Sequence, residues 1–198
     1  DMVEQRLHRL AGQDDPVLIG AELPLAAADY SVLAIDRLAA IAPLVLVDDN
    51  TLTGSARIRF IHASPDAPPV DIAVANGGPV LFSDVSFGES GGYIEVPAGV
   101  YDLEARVAGT PIVALDVPGV NVTGFRSFTV IATGFLKGFP ALSALPVLDS
   151  ERCATDVVGD GRTAVSDILA AIDKWNTSDP WADVTRDGVV NVHDIMLL

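Results

Sequence analysis

The sequence predicts a mainly β chain: antiparallel β-sandwich repeats in an immunoglobulin-like layout, followed by a small C-terminal α-helical calcium-loop module. Three observations predict this. Between residues 56 and 150, short extended segments recur with Gly, Pro, Asn and Asp between them. The first 50 residues repeat the pattern of the second half of that stretch. Two acidic loops of one layout, DVVGDGRTAVSD at 156–167 and DVTRDGVVNVHD at 183–194, come last.

Residues 1–50 begin with MVEQRLHRLAG, which by itself could form an amphipathic helical turn or two. Internal comparison overrides that reading. EQRLHRLAG lies beside YDLEARVAG at 101–109, DPVLIGAELPL beside TPIVALDVPGV, DYSVLAID beside SFTVIATG, and APLVLVDDN at 42–50 beside LSALPVLDS at 142–150. Residues 1–50 are therefore expected to be the second half of a preceding sandwich repeat whose first four strands lie elsewhere. Half a sandwich leaves a sheet edge unpaired and an apolar face uncovered. The chain is then expected to be a piece of a longer protein, or to take those strands from another polypeptide. The ending at HDIMLL, barely one turn into an expected helix, also points to a piece.

Residues 51–150 form the complete repeat. ARIRFIHAS (56–64), VDIAVAN (70–76), GPVLFSDVSF (78–87), GYIEVPAG (92–99), VYDLEARVAG (100–109), PIVALDVPGVNV (111–122), SFTVIATGF (127–135) and ALSALPVLD (141–149) read as strands. Within this stretch HASPDAPPVDI, residues 62–72, gathers His62, Ser64 and Asp66 and invites a triad reading. Three residues at i, i+2 and i+4 of one extended segment cannot easily place a base between a nucleophile and an orienting acid. A structural turn explains them better. Proline fixes φ at the strand exit, Asp66 can accept from a backbone N–H two residues on, and His62 can close the turn on Asp71.

RIRFIHASPDAPPVDIAV, continued by VLFSDVSFGESGGYIEVPAGVYDLEARVAG, resembles a family of secreted bacterial and archaeal β-sandwich repeats of unknown function, marked by an H-x-SPDAP-x-VD opening. Such repeats often stand in tandem in surface proteins, joined by a segment similar to LVLVDDNTLTGSARIRF at 44–60. The resemblance implies a fold and a tandem arrangement. It brings no established activity.

After a linker at 151–155 that carries Cys153, the only cysteine, comes the acidic module at 156–198. No intrachain disulfide is possible, and Cys153 is expected to be an inert linker thiol. A calcium loop places oxygen ligands at its first, third, fifth, seventh, ninth and twelfth places, with glycine at the sixth for a sharp turn. The second loop offers Asp183, Thr185, Asp187, the carbonyl of Val189, Asn191 and Asp194, with Gly188 at the turn. Only the third place, a hydroxyl, is weak. The first loop offers Asp156, Asp160, the carbonyl of Arg162 and Asp167, with Val158 and Ala164 removing two ligands. It is expected to bind more weakly.

Helix-forming residues follow each loop: ILAAIDKWN, with Ile168, Leu169, Ile172 and Trp175 on one stripe, and then IMLL. Two such units with first aspartates 27 residues apart resemble a dockerin, the duplicated calcium-binding module that docks on cohesin domains. That resemblance implies partner contacts at the tenth and eleventh places, Val165 and Ser166, then Val192 and His193. It implies a cohesin-like partner or neighbouring copies of the chain.

Charge narrows the partners further. The 27 acidic residues, 21 of them aspartate, outweigh 10 Arg and 2 Lys, and the net charge of −15 makes nucleic acid a poor partner. No apolar run approaches the roughly 20 residues of a membrane-spanning helix. With its three histidines scattered and no phosphate loop or nucleophile elbow, no enzymatic activity is expected. The expectation is a non-catalytic extracellular or cell-surface structural protein, exported by a signal outside this chain, with calcium as cofactor. Two alternatives stand beside it: a self-assembling fibre or sheath subunit completed by a neighbour's strands, and a non-catalytic appendage of a secreted hydrolase.

Overall fold

The computed structural model describes residues 28–151, 153, 155–159 and 162–198. The segments expected at 4–12 and 15–25 lie outside the described residues. The strands are β1 (Asp29–Ile35), β2 (Ala42–Asp48), β3 (Ala56–His62), β4 (Val70–Val74), β5 (Val80–Val85), β6 (Ser90–Val96), β7 (Gly99–Val107), β8 (Val113–Val122), β9 (Arg126–Thr133) and β10 (Ser143–Glu151). Two helices follow, α1 (Val165–Asp173) and α2 (Val192–Ile195). Each extended segment expected between 56 and 150 forms a strand, because turn residues interrupt the chain where the sequence places them. Asn76 and Gly77 carry positive φ of 59° and 82° in the β4–β5 connection, a conformation suited to a tight hairpin.

Two four-stranded sheets, β10-β9-β3-β6 and β5-β4-β7-β8, make the sandwich. Among the named strands, every pairing but one is antiparallel. β3 and β9 run parallel, Ala56 opposite Arg126 through His62 opposite Ala132, which departs from the all-antiparallel expectation. Ala56, Ile58 and Phe60 of β3 and Val130 and Ala132 of β9 meet Val70, Ile72, Phe82 and Ala105 of the other sheet in one core. Phe60 and Phe82 stack across it with ring centroids 6.3 Å apart. Burying side chains of this size contributes about 1.5–3 kcal/mol each, which fixes the register because a one-residue slip would turn them out.

β1 and β2 form a separate antiparallel hairpin, Asp29 opposite Asp48 through Ile35 opposite Ala42. It lies against the outward face of β3, where Arg59 reaches Ser31 and Asp48. At the other end Phe125 and Trp181 stack edge to face with centroids 4.5 Å apart, joining the sandwich to the C-terminal unit.

The HASPDAPPVD turn folds differently from its local expectation. Nε2 of the buried His62 lies 3.1 Å from the Pro68 carbonyl, and Nδ1 accepts the Ser64 N–H, so His62 does not bond Asp71. Asp71 instead accepts from the N–H groups of Asp84 and Gly109. Asp66 accepts from the N–H groups of Leu136 and Lys137 at 2.7 and 3.0 Å, tying its loop to one some 70 residues away. These backbone donors, Lys137 first for Asp66 and Gly109 first for Asp71, hold both carboxyls below their ordinary range.

Candidate functional site

The second acidic loop is organised by its two buried carboxylates. Asp183 opens it, Oδ1 accepting from Asp187 N–H at 3.1 Å and Oδ2 from Gly188 N–H at 2.8 Å. Gly188, at the sixth place, takes φ +94°, a conformation that a side chain would strain. Asp194 closes the loop and is fully buried. Its Oδ1 accepts from the Thr185 N–H at 2.8 Å and hydroxyl at 2.9 Å, and its Oδ2 from the Asn191 N–H at 2.7 Å. Asn191 in turn caps α2, its Oδ1 accepting from His193 N–H at 2.8 Å. Asp187 Oδ1 accepts from Val189 N–H, and the Asn191 amide donates to Asp187 Oδ2 and to the Val189 carbonyl.

The first loop repeats the closing half of this wiring 27 residues earlier. Asp167 Oδ1 accepts from Val158 N–H at 3.0 Å and Oδ2 from Ala164 N–H at 2.7 Å, as Asp194 does from Thr185 and Asn191. Asp156 Oδ1 accepts from Gly159 N–H at 2.8 Å. The fourth place is left-handed in both loops, Gly159 at φ +76° and Arg186 at φ +59°. Ala164 has no side-chain oxygen, so α1 lacks the cap that Asn191 gives α2. Asp160 and Gly161 lie outside the described residues, and the carbonyl expected from Arg162 belongs to an exposed residue beside them.

A small core joins the two units. Val157, Ala171, Ala182 and Val190 are buried, with Val184, Ile195 and Leu198 packed against them. Val190 also exchanges backbone hydrogen bonds of 2.8 Å with Asn176 and Thr177, holding the second loop to the end of α1. Of the helical stripe, Ile168 is half-buried and the rest faces outward. Leu169, Ile172 and Trp175 are exposed, and the buried residues of α1 are Asp167 and Ala171. The apolar face points outward, and it too repeats: Val165 and Leu169 on α1 correspond to Val192 and Met196, with 69%, 61%, 51% and 76% exposure. Leu169 and Met196 were not among the expected contacts. Their 27-residue spacing was the signal that could have found them. Ser166 and His193 are exposed beside this face.

Asp167 and Asp194 both titrate below the ordinary carboxylate range. At Asp167 the cause is donation from Val158 and Ala164 N–H. At Asp194 burial works the other way and is outweighed by the Thr185 and Asn191 N–H groups and the Thr185 hydroxyl. A carboxyl depressed in the folded state stabilises the fold above its unfolded pKa, about 4, and that contribution is lost as pH falls through the folded value. The C-terminal unit is therefore expected to keep full stability above about pH 5 and to loosen progressively below about pH 4. Both tryptophans, Trp175 and Trp181, lie in this unit, so their fluorescence during acid titration checks the expectation.

The donor chemistry of the second loop fits a hard divalent cation, since every group it offers is an oxygen. As the loops lie, these oxygens face backbone N–H groups, and among the described residues no three His, Cys, Asp or Glu side chains converge closely enough to hold a metal. Each carboxylate has about four lone-pair sites, so an ion could bind beside those N–H partners once the side chains turned to converge on it. Elsewhere, the space between the sheets lined by Ile58, Phe60, Ile72 and Leu115 is apolar and amounts to ≈ 20 Å³, room for little beyond one water. Cys153 is exposed in the linker, and the Thr155 hydroxyl 3.1 Å from its Sγ lowers the thiol's pKa.

Two stretches, 7–73 and 56–158, match the family described as Domain of unknown function (DUF4397). The chain belongs to the DUF4397 family. The second match spans the whole sandwich, and the first runs from before the β1–β2 hairpin into β4 of the DUF4397 sandwich. A solved structure of the C-terminal domain of AlgF from P. aeruginosa is similar at 17% identity, over 48% of this chain and 99% of that one, with a TM-score of 0.38. No curated protein matches. Among the described residues no helix is long and apolar enough to cross a membrane.

Proposed function

We propose that this protein is a non-catalytic, extracellular structural protein in which a DUF4397 sandwich, preceded by the second half of another copy, carries a dockerin-like calcium module that tethers or rigidifies. The observation that carries the reading is the 27-residue repetition of the closing-aspartate wiring: Asp167 holds the Val158 and Ala164 N–H groups as Asp194 holds those of Thr185 and Asn191. Asp183, Thr185, Asp187, the Val189 carbonyl, Asn191 and Asp194 would hold the stronger ion. Asp156, Asp160, the Arg162 carbonyl and Asp167 would hold the weaker one. Calcium would neutralise clustered aspartates and couple folding of the unit to the ion.

The exposed Val165, Leu169, Val192 and Met196 supply an apolar face for a cohesin-like partner, with Ser166 and His193 at its polar margin. A large exposed apolar patch on a water-soluble unit marks a contact surface more often than chance. Calcium titration of the full chain tests the reading: saturable binding that orders the C-terminal unit supports it, and a chain indifferent to calcium and chelator removes it.

A further inference from the structure

We propose that Arg59 is the pin of a repeat junction, one guanidinium held jointly by equivalent hydroxyl–aspartate pairs from two successive sandwich repeats. This rests on reading residues 1–50 as half of a preceding repeat. In the β9–β10 hairpin, Thr129 Oγ1 donates to Asp149 Oδ2 at 2.7 Å. In the β1–β2 hairpin, Ser31 Oγ donates to Asp48 Oδ1 at 2.8 Å. The two hairpins correspond: Tyr30, Ser31, Val32 and Ala34 stand where Phe128, Thr129, Val130 and Ala132 stand, and Asp36 and Gly134 end the strands with positive φ of 77° and 88°. Strand pairing shifts the second strand by one residue from the sequence alignment. Asp48, not Asp49, corresponds to Asp149, each following the residue paired with the first hairpin aromatic, Val47 with Tyr30 and Leu148 with Phe128.

Arg59 lies between the two pairs. Its Nε donates to Thr129 Oγ1 at 2.9 Å, while Nη2 donates to Ser31 Oγ at 2.9 Å and stands 2.8 Å from Asp48 Oδ1. The Tyr93 ring lies under the guanidinium at 4.6 Å, and its hydroxyl donates to Asp149 Oδ2 at 2.9 Å. Arg59, on the sheet face turned away from the core, is only 2% exposed. An arginine with five fixed donors can bridge two acceptor pairs in this way, whereas a lysine is a single point charge. Arg57 adds a second tie, donating to Asp49 Oδ2 and to the Thr51 carbonyl of the connecting segment, both at 2.6 Å. The junction orients one repeat on the next, so a tandem array built this way would be a stiff rod and not a string of free domains.

Hydrogen exchange of the full chain, comparing wild type with Asp48→Asn and Ser31→Ala, tests this. Asp48→Asn removes the charge contact on the hairpin side and leaves Thr129 and Asp149 in place. At least tenfold faster exchange across 29–48, with less than twofold change in β4 and β7, supports the junction, and Ser31→Ala should move the same segment less. Unchanged exchange in 29–48, or equal loosening of β4 and β7, overturns it. The repeat reading fails separately: a coding sequence upstream without four sandwich strands would remove it, leaving the hairpin exchange result to stand for a lock within one chain.

Discussion

Asp194→Ala is expected to loosen the whole C-terminal unit by about 3 kcal/mol, because two backbone N–H groups and a hydroxyl lose their acceptor inside a buried loop. Each orphaned donor costs about 1–3 kcal/mol when water cannot reach it. The α2 cap fails with it, since the Asn191 backbone is held by the same carboxylate. Asp194→Asn, which keeps one acceptor oxygen in place, should cost less. Tryptophan fluorescence, through Trp175 in the unit and Trp181 at its contact with Phe125, reads the unit and its junction, and circular dichroism of the strands reads the sandwich. The first transition should fall and the second should stay. Coincident melting of both would mean that the unit has no stability of its own.

Arg59→Met is expected to destabilise the sandwich by about 3–5 kcal/mol, the usual cost of removing one partner from a buried ion pair. Asp48 and Asp149 would be left facing each other across a water-poor space, and the Thr129 and Ser31 hydroxyls would lose a donor. Tyr93 reports the same environment. Burial, reinforced by its bond to Asp149, pushes its hydroxyl up to about 12. In Arg59→Met the thermal transition of the sandwich should drop, and Arg59→Lys should recover part of it. A loss below about 1 kcal/mol would show that the cluster is as weak as a surface pair.

Much of the sandwich is legible in the sequence because turn residues and alternation are local signals. The segments between 56 and 150 become β3 to β10, and NG at 76–77 marks a tight turn. Partner choice is not local. Nothing in ARIRFIH or SFTVIAT says that these strands run parallel side by side. Nor does alternation distinguish a side chain facing water from one facing another hairpin, so the sequence does not mark Arg59 as buried under the β1–β2 hairpin.

The same limit governs the turn and the loops. Asp66 is a turn residue in sequence, yet its partners are some 70 residues away. The stripe of Ile168, Leu169, Ile172 and Trp175 is legible as a helix pattern, but its period does not say that the unit closes over Ala171, Ala182 and Val190 and leaves Leu169, Ile172 and Trp175 exposed. The acidic loops are more legible, since ligand spacing and glycine placement are local and Gly188 turns as its place requires. Which oxygens face an ion and which face backbone N–H groups is set by side-chain rotation, and spacing does not carry it.

Calcium binding by the full chain is the central claim, and isothermal titration after chelator treatment measures it directly. Wild type should give saturable heat from a stronger and a weaker site; Asp187→Asn should remove the stronger and Asp156→Asn the weaker. An absence of saturable heat, or heats unchanged by both substitutions, would contradict the account.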